Sequence, residues 1–262
     1  MRRLFQGGVL LTGITGISGS RYKGPLPRSV VRQPSLIRMS STCTTAFQPI
    51  VDVNGAVFAY EALVRGEGGE PAKSVFSKVA ASDLRTFEHL CRIRALEAAV
   101  RTGLDCRLSL NISPSELAAE ATGPQATIRA AGALGFPTEN LILEIGEREE
   151  VADFQAARRA LDDCRRSGMQ IALDDFGTGY ASLNPLVELM PDIIKLDIGL
   201  VRDVDRNVRK QTVIQAILQV CRQLGITVIG EGVETEEEAR VLRGMGVCLF
   251  QGYHFGRPAV RV

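Results

Sequence analysis

Strand-like runs alternating with helical patterns leave this chain few ways to fold. Eight runs read as strands: 47–53, 56–64, 107–112, 141–145, 170–176, 192–197, 227–231 and 248–253. From the second onward, each neighbouring pair is separated by helix. The helical patterns fall at about 72–81 and 83–102, after Pro114, at 150–167 up to Gly168, at 182–189, at 206–224 up to Gly225, and after the cap residue Thr235. In the stretch 83–102, Leu84, Phe87, Cys91 and Ala95 recur at helical spacing. Repeating strand–helix units imply right-handed parallel crossovers. Eight strands in 262 residues fit a single closed α/β domain, a modified (β/α)8 TIM-like barrel. Asn54-Gly55 is a strong hairpin signal, so the first strand is expected to run antiparallel to the second. A doubly wound open sheet lacks support, because no G-x-G-x-x-G follows any strand.

Polar residues gather at one end of these strands. Glu61, Asn111, Glu144, Asp174 with Asp175, Lys195 with Asp197, Glu231 and Gln251 all lie near carboxyl ends. Strand interiors disfavour Asp, Asn and Glu. In a barrel, the carboxyl end is where an active site is built. The segment IALDDFGTGYASL (171–183) poses the problem most sharply. Adjacent strand residues point to opposite faces, so Asp174-Asp175 is either a metal site at the sheet rim or a solvated acidic turn capping a helix. Seven sets of polar residues converging on one rim favour the shared site.

Five carboxylates and an amide form a hard oxygen-ligand set, suited to Mg²⁺ or Mn²⁺. The chain has only two histidines, too few for a His-built site. Two ions could share the aspartates and clamp the attacking and leaving oxygens of a phosphoryl displacement. Lys195 could hold or deprotonate the attacking water, and Arg65 could grip a phosphate bidentately.

Charge is unevenly placed. Residues 1–40 carry seven basic residues and no acid, which leaves 24 basic against 30 acidic residues in 41–262. An acidic globule is a poor surface for duplex nucleic acid, so no such partner is expected. Residues 1–43 read as a disordered basic tail ahead of a domain at 44–262, with a targeting signal or a start-site artefact as alternatives. FQGGVLLTGITGI is too short and too Gly-rich to span a membrane. Six scattered cysteines without a C-x-x-C pair suggest reduced thiols and a cytoplasmic setting.

The motifs FQPIVD, YEALVR, LSLNIS, LEIGE, IALDDFGTGYASL, IIKLD, IGEGVET and QGYHFGRP occur in order across about 47–258. In them the chain resembles EAL-domain cyclic-di-GMP phosphodiesterases. The resemblance implies a two-metal hydrolase, using Mg²⁺ or Mn²⁺, that linearises cyclic di-GMP to pGpG. Carried over by position, Glu61, Asn111, Glu144 and Asp174 would hold one metal. Asp174, Asp175 and Glu231 would hold the second. Lys195 would orient the water, with Gln251 supporting the site. Gln48, Leu63, Arg65, Asp197 and Arg257 would contact substrate or brace its contacts. The loop after the aspartates, within 176–183, would serve a homodimer and control the metal site. A non-catalytic cyclic-di-GMP receptor and an antirepressor-like interaction module are the alternatives. One departure stands out: Gly146 occupies a position where the family usually has Thr.

Overall fold

The computed structural model describes residues 43–146, 151, 153–177 and 184–260. The expected tail, 1–43, and most of the 176–183 loop lie outside these residues, except that Cys43, assigned to the tail, is the first residue of a strand. Eight strands are present: β1 (Cys43–Asp52), β2 (Val57–Gly66), β3 (Arg107–Ile112), β4 (Leu141–Gly146), β5 (Gln170–Phe176), β6 (Ile193–Leu196), β7 (Thr227–Gly230) and β8 (Leu249–Gln251). They form a closed barrel in sequence order. β1 is antiparallel to both β2 and β8, and every other pair is parallel. The barrel with one reversed strand is therefore as expected. The turn at Asn54-Gly55 places Gly55 at φ 80°. The Asp52 carboxylate accepts from the Asn54 and Ala56 amides there.

β1 begins four residues before its expected start. Its first residues, Cys43 to Ala46, pair with Gly66 to Leu63, so the β1–β2 ladder extends beyond the level of Glu61. CTTA carries no apolar alternation that would reveal this; the pairing comes from the partner strand.

The helices around the barrel are α1 (Ala72–Phe76), α2 (Leu84–Thr102), α3 (Pro124–Leu134), α4 (Phe154–Arg166), α5 (Asn184–Leu189), α6 (Ile198–Val201), α7 (Val208–Leu224) and α8 (Glu236–Met245). α1 is half its expected length. Ser77 there bonds its hydroxyl to the Ser74 carbonyl, an alternative to the helical ladder. The region opened by Pro114 is only a 3-10 turn, Pro114–Glu116, and the true helix starts at Pro124. α8 opens on the expected cap: Thr235 accepts from the Glu238 amide, and Glu238 accepts from Thr235 in return. α7 closes on Gly225 at φ 71°.

Two apolar layers hold the fold. One, between strands and helices, is mostly aliphatic and includes Leu96, Leu108, Leu143, Ile171, Leu196 and Leu242 alongside Phe47 and Phe250. The other fills the lower barrel: Ile50, Ala59, Ile142, Ala172, Ile193, Ile229 and Leu249. Each fully buried Leu or Ile contributes about 1.5–3 kcal/mol. No disulfide joins the described cysteines.

α2 carries a titratable group in its buried face. His89 is 2% exposed. Burial, aided by Arg92 and Arg129, pushes its pKa down to about 3. A folded value below the unfolded one gives stability that is complete above about pH 6.5 and drains away as pH falls toward 3. Between pH 7 and pH 4 this one residue should cost roughly 3 kcal/mol. Urea unfolding of the wild type and His89→Gln at both pH values checks this. The variant should lack that share of the acid loss, and parallel pH profiles would refute the assignment.

Candidate functional site

Period-two alternation builds the site directly on the barrel floor. Two residues beyond each apolar floor residue, the same face presents a polar one. Ala59 leads to Glu61, Ile142 to Glu144, Ala172 to Asp174, Ile193 to Lys195, Ile229 to Glu231 and Leu249 to Gln251. On the reversed strand, Gln48 lies two residues before Ile50. The ladders set the heights: Gln48 pairs with Glu61, Asn111 with Glu144, and Gly146 with Asp174.

Lys195 is the hub of this layer and is fully buried. Its Nζ lies 2.9 Å from Glu144 Oε1, 3.1 Å from Asp174 Oδ1, 3.2 Å from Glu61 Oε2 and 3.6 Å from Glu231 Oε2. Burial opposes its charge, yet the four carboxylates outweigh that and hold it well above the usual lysine range. Burial, with Glu61 adding to it, pushes Glu144 up to about 8. Burial likewise raises Glu231 well above the carboxylate range. Asp174 goes the other way: burial raises it, but Lys195 beside it brings it below its ordinary value.

Hydrogen bonds fix the rest. Gln251 Nε2 donates to Glu61 Oε2 at 2.6 Å and to Gln48 Oε1 at 3.3 Å. Asn111 Nδ2 donates to Glu61 Oε1 at 2.9 Å. Gln48 Nε2 donates to the Gly256 carbonyl at 3.2 Å.

The paired aspartates are explained by an irregularity in β5. Leu173 pairs with Ile194, but Phe176, three residues on, pairs with Leu196, only two on. The extra residue is a bulge. Within it, Asp175 adopts φ 56°, a left-handed conformation uncommon outside glycine. Both aspartates thereby line one cavity, which a regular strand would forbid. Carboxylate oxygens of Asp174, Asp175 and Glu231 all lie within 4.8 Å of one another.

This donor set fits divalent cations. Four carboxylates crowd around one ammonium, and Asp175 adds a fifth beside Asp174 and Glu231. The buried Glu144 Oε2 has no hydrogen-bond partner among the described residues. All donors are oxygens, suited to Mg²⁺ or Mn²⁺.

The cavity above the layer has a volume of about 640 Å³. Gln48, Glu61, Leu63, Asn111, Gly146, Asp174, Asp175 and Glu231 line it. Among residues expected to meet substrate, Gln48 and Leu63 line this cavity. Arg65 instead donates to the Val64 carbonyl at 2.9 Å. Asp197 caps α6, accepting from the Gly199 amide at 2.6 Å. Arg257 is exposed, with its guanidinium 4.2 Å over the Tyr253 ring. No atom would meet a Cβ at Gly146, so this position leaves open space at the cavity wall.

Sequence reasoning missed three residues here. Ser109 pairs with Glu61 in register and is fully buried. Its signal was available: it lies two residues before Asn111 on the same face. Arg92 lines the cavity from α2 and pairs with the buried Glu116 at 2.6 Å. The only hint was an arginine beside Cys91 on the apolar face of α2.

Residues 36–258 match the family described as EAL domain. The chain is 30% identical over 188 residues to the probable cyclic di-GMP phosphodiesterase PdeA of Escherichia coli, covering 72% of this chain and 25% of that protein. It is 37% identical, with a TM-score of 0.78, to a standalone EAL protein from Vibrio cholerae solved with cyclic di-GMP bound, covering 83% of this chain and 92% of that one. Klebsiella pneumoniae BlrP1, solved as a manganese and cyclic-di-GMP complex, gives 34% identity and a TM-score of 0.78 over 83% of this chain and 56% of that one. The chain spans 27%, 53% and 25% of the first three curated relatives it matches. Among the described residues, no helix is long and apolar enough to cross a membrane.

Proposed function

This chain belongs to the EAL domain family, and we propose that it is a divalent-metal-dependent phosphodiesterase that hydrolyses cyclic di-GMP to linear pGpG. One observation carries the reading: four carboxylates ring one buried ammonium at the crown of a barrel, with Asp175 and Asn111 beside them, under a cavity open to a nucleotide. In this reading Glu61, Asn111, Glu144 and Asp174 would hold one ion, and Asp174, Asp175 and Glu231 would hold a second. Bound Mg²⁺ or Mn²⁺ would supply Lewis acidity toward the phosphodiester and lower the pKa of water toward neutrality.

The chain's own residues do the rest. Lys195, held as an ammonium, donates to the attacking water and keeps it in line; it is a donor in the ground state and not a ready base. Gln251 fixes Glu61, and Gln48 ties both to the Gly256 carbonyl. Leu63 and Gln48 form the wall against the nucleotide. Arg65, once released from the Val64 carbonyl, reaches a phosphate; Arg257 meets the ligand from the outer rim. Asp197 braces the rim by capping α6. Water adds to phosphorus and one P–O ester bond breaks; of the water's two protons, one ends on the leaving oxygen and the other is lost to solvent from the new phosphate monoester. The setting proposed is cytoplasmic, as a homodimer joined through the 176–183 region, with the residues ahead of Cys43 a tail outside the catalytic domain.

The test is direct. Purified chain incubated with cyclic di-GMP and Mg²⁺ or Mn²⁺ should form pGpG, EDTA should stop it, and added ion should restore it. Nucleotide binding without product under either ion would replace this reading with a receptor. No nucleotide binding at all would replace it with an interaction module.

A further inference from the structure

We propose that Arg92 is a positioning residue for Asn111, fixing the carboxyl end of β3 and through it the aim of the Asn111 amide into the site. The inference rests on the metal-site reading above.

Arg92 sits on α2 and is 4% exposed. Its Nη1 donates to the Asn111 carbonyl at 3.3 Å and its Nε to Thr127 Oγ1 at 3.3 Å. Its Nη2 donates to Glu116 Oε2 at 2.6 Å and to the Thr122 carbonyl at 2.5 Å. A guanidinium has five N–H donors, and four of them are accounted for. Its charge is matched by Glu116, which is fully buried. Arg92 lines the cavity, but it is not a spare cation for a phosphate. It is a fork locked between β3, the 3-10 turn after it, and α3.

A second tether runs between the same helix and the same segment. Ser113 Oγ donates to Glu88 Oε1 at 2.8 Å, one helical turn before Arg92. α2 thus grips the chain at positions 111 and 113, on either side of where β3 leaves the barrel. Asn111 needs this support. It is exposed, and its amide is aimed by one bond to Glu61 Oε1. That bond commits Nδ2 and turns Oδ1, the only atom of the amide able to ligate a cation, away from Glu61. If the backbone at 111 shifts, the aim of Oδ1 shifts with it. Partners that orient a ligand typically matter 10–100-fold in metal affinity.

The bland alternative is that Arg92 only braces α2. Two variants separate the cases. Arg92→Lys keeps a cation for Glu116 but lacks the planar fork that spans four acceptors. Arg92→Met with Glu116→Leu removes both charges together, which avoids stranding one. Mn²⁺ affinity is read by calorimetry and by the electron paramagnetic resonance of bound Mn²⁺, without turnover, alongside the melting temperature. Both variants should bind Mn²⁺ 10–100-fold more weakly, and raising Mn²⁺ should restore hydrolysis. In an Asn111→Ala background, Arg92→Lys should change Mn²⁺ affinity no further. Unchanged Mn²⁺ affinity in a folded variant overturns the proposal, as does an Arg92→Lys effect that adds fully to that of Asn111→Ala. A wild-type chain that binds Mn²⁺ but forms no pGpG would overturn the enzymatic reading alone.

Discussion

On the phosphodiesterase reading, Glu61→Gln should abolish Mn²⁺-dependent hydrolysis of cyclic di-GMP while leaving the fold intact. Glu61 accepts three donors at once: Asn111 Nδ2 on one oxygen, and Gln251 Nε2 and Lys195 Nζ on the other. A glutamine has the same shape but offers one acceptor. Its amide nitrogen must then face either Asn111 or the Lys195–Gln251 pair, donor against donor. The site also loses one of its five anionic ligands. Turnover should fall at least the 10²–10³-fold typical of losing one stabilising group in a preorganised site. The barrel should hold, because removing one charge from a crowded anionic layer relieves repulsion. Initial rates at saturating Mn²⁺, with a melting curve alongside, make the comparison. Turnover within tenfold of wild type would remove Glu61 from the machinery.

The second large effect is on stability. Lys195→Met leaves Glu61, Glu144, Asp174 and Glu231 without the ammonium that neutralises them within 2.9–3.6 Å. Breaking a buried ion pair from one side costs about 3–5 kcal/mol. For a domain of this size that is a drop of roughly 10 °C in melting temperature for the metal-free protein. The loss should be deeper at pH 8 than at pH 5. The raised carboxyls, Glu144 among them, bind protons in the folded state that the unfolded chain releases above about 4.5. Stability tied to them is therefore present at low pH and is lost as pH rises through about 8. Millimolar Mn²⁺ should recover most of the deficit by binding only the folded state, without restoring turnover. A metal-free melting temperature equal to wild type at pH 8 would show that Lys195 is not the counter-ion of this layer.

Period two made much of this legible from sequence. A polar residue two places after an apolar one, on strand after strand, can only stand above a barrel floor. Read more simply, as polar residues at the carboxyl ends of successive strands, the sequence already pointed to Glu61, Glu144, Asp174, Lys195, Glu231 and Gln251. The period-two rule fails where periodicity breaks. The bulge that turns Asp175 into the cavity depends on how β5 registers with β6, which no local pattern specifies. The pairing of Arg92 with Glu116 joins residues 24 apart in sequence, and only folding brings them together. Asp197 could not be separated by type from a substrate contact, since a helix cap and a ligand draw on the same carboxylate. Arg257 carries the right charge, but its place over Tyr253 is set by the turn after β8.

The reversed β1 has a further consequence for how this domain can be addressed. In a barrel of eight parallel strands, the first strand enters from the face opposite the active site. Here Cys43 lies beside Gly66, at the mouth itself. A push or twist applied to the chain ahead of Cys43 is therefore delivered at the rim that carries the carboxylates. From there a short mechanical line runs down β1 to Gln48, across to Gln251 and on to Glu61. The strand that closes the barrel is also its shortest lever on the carboxylate layer.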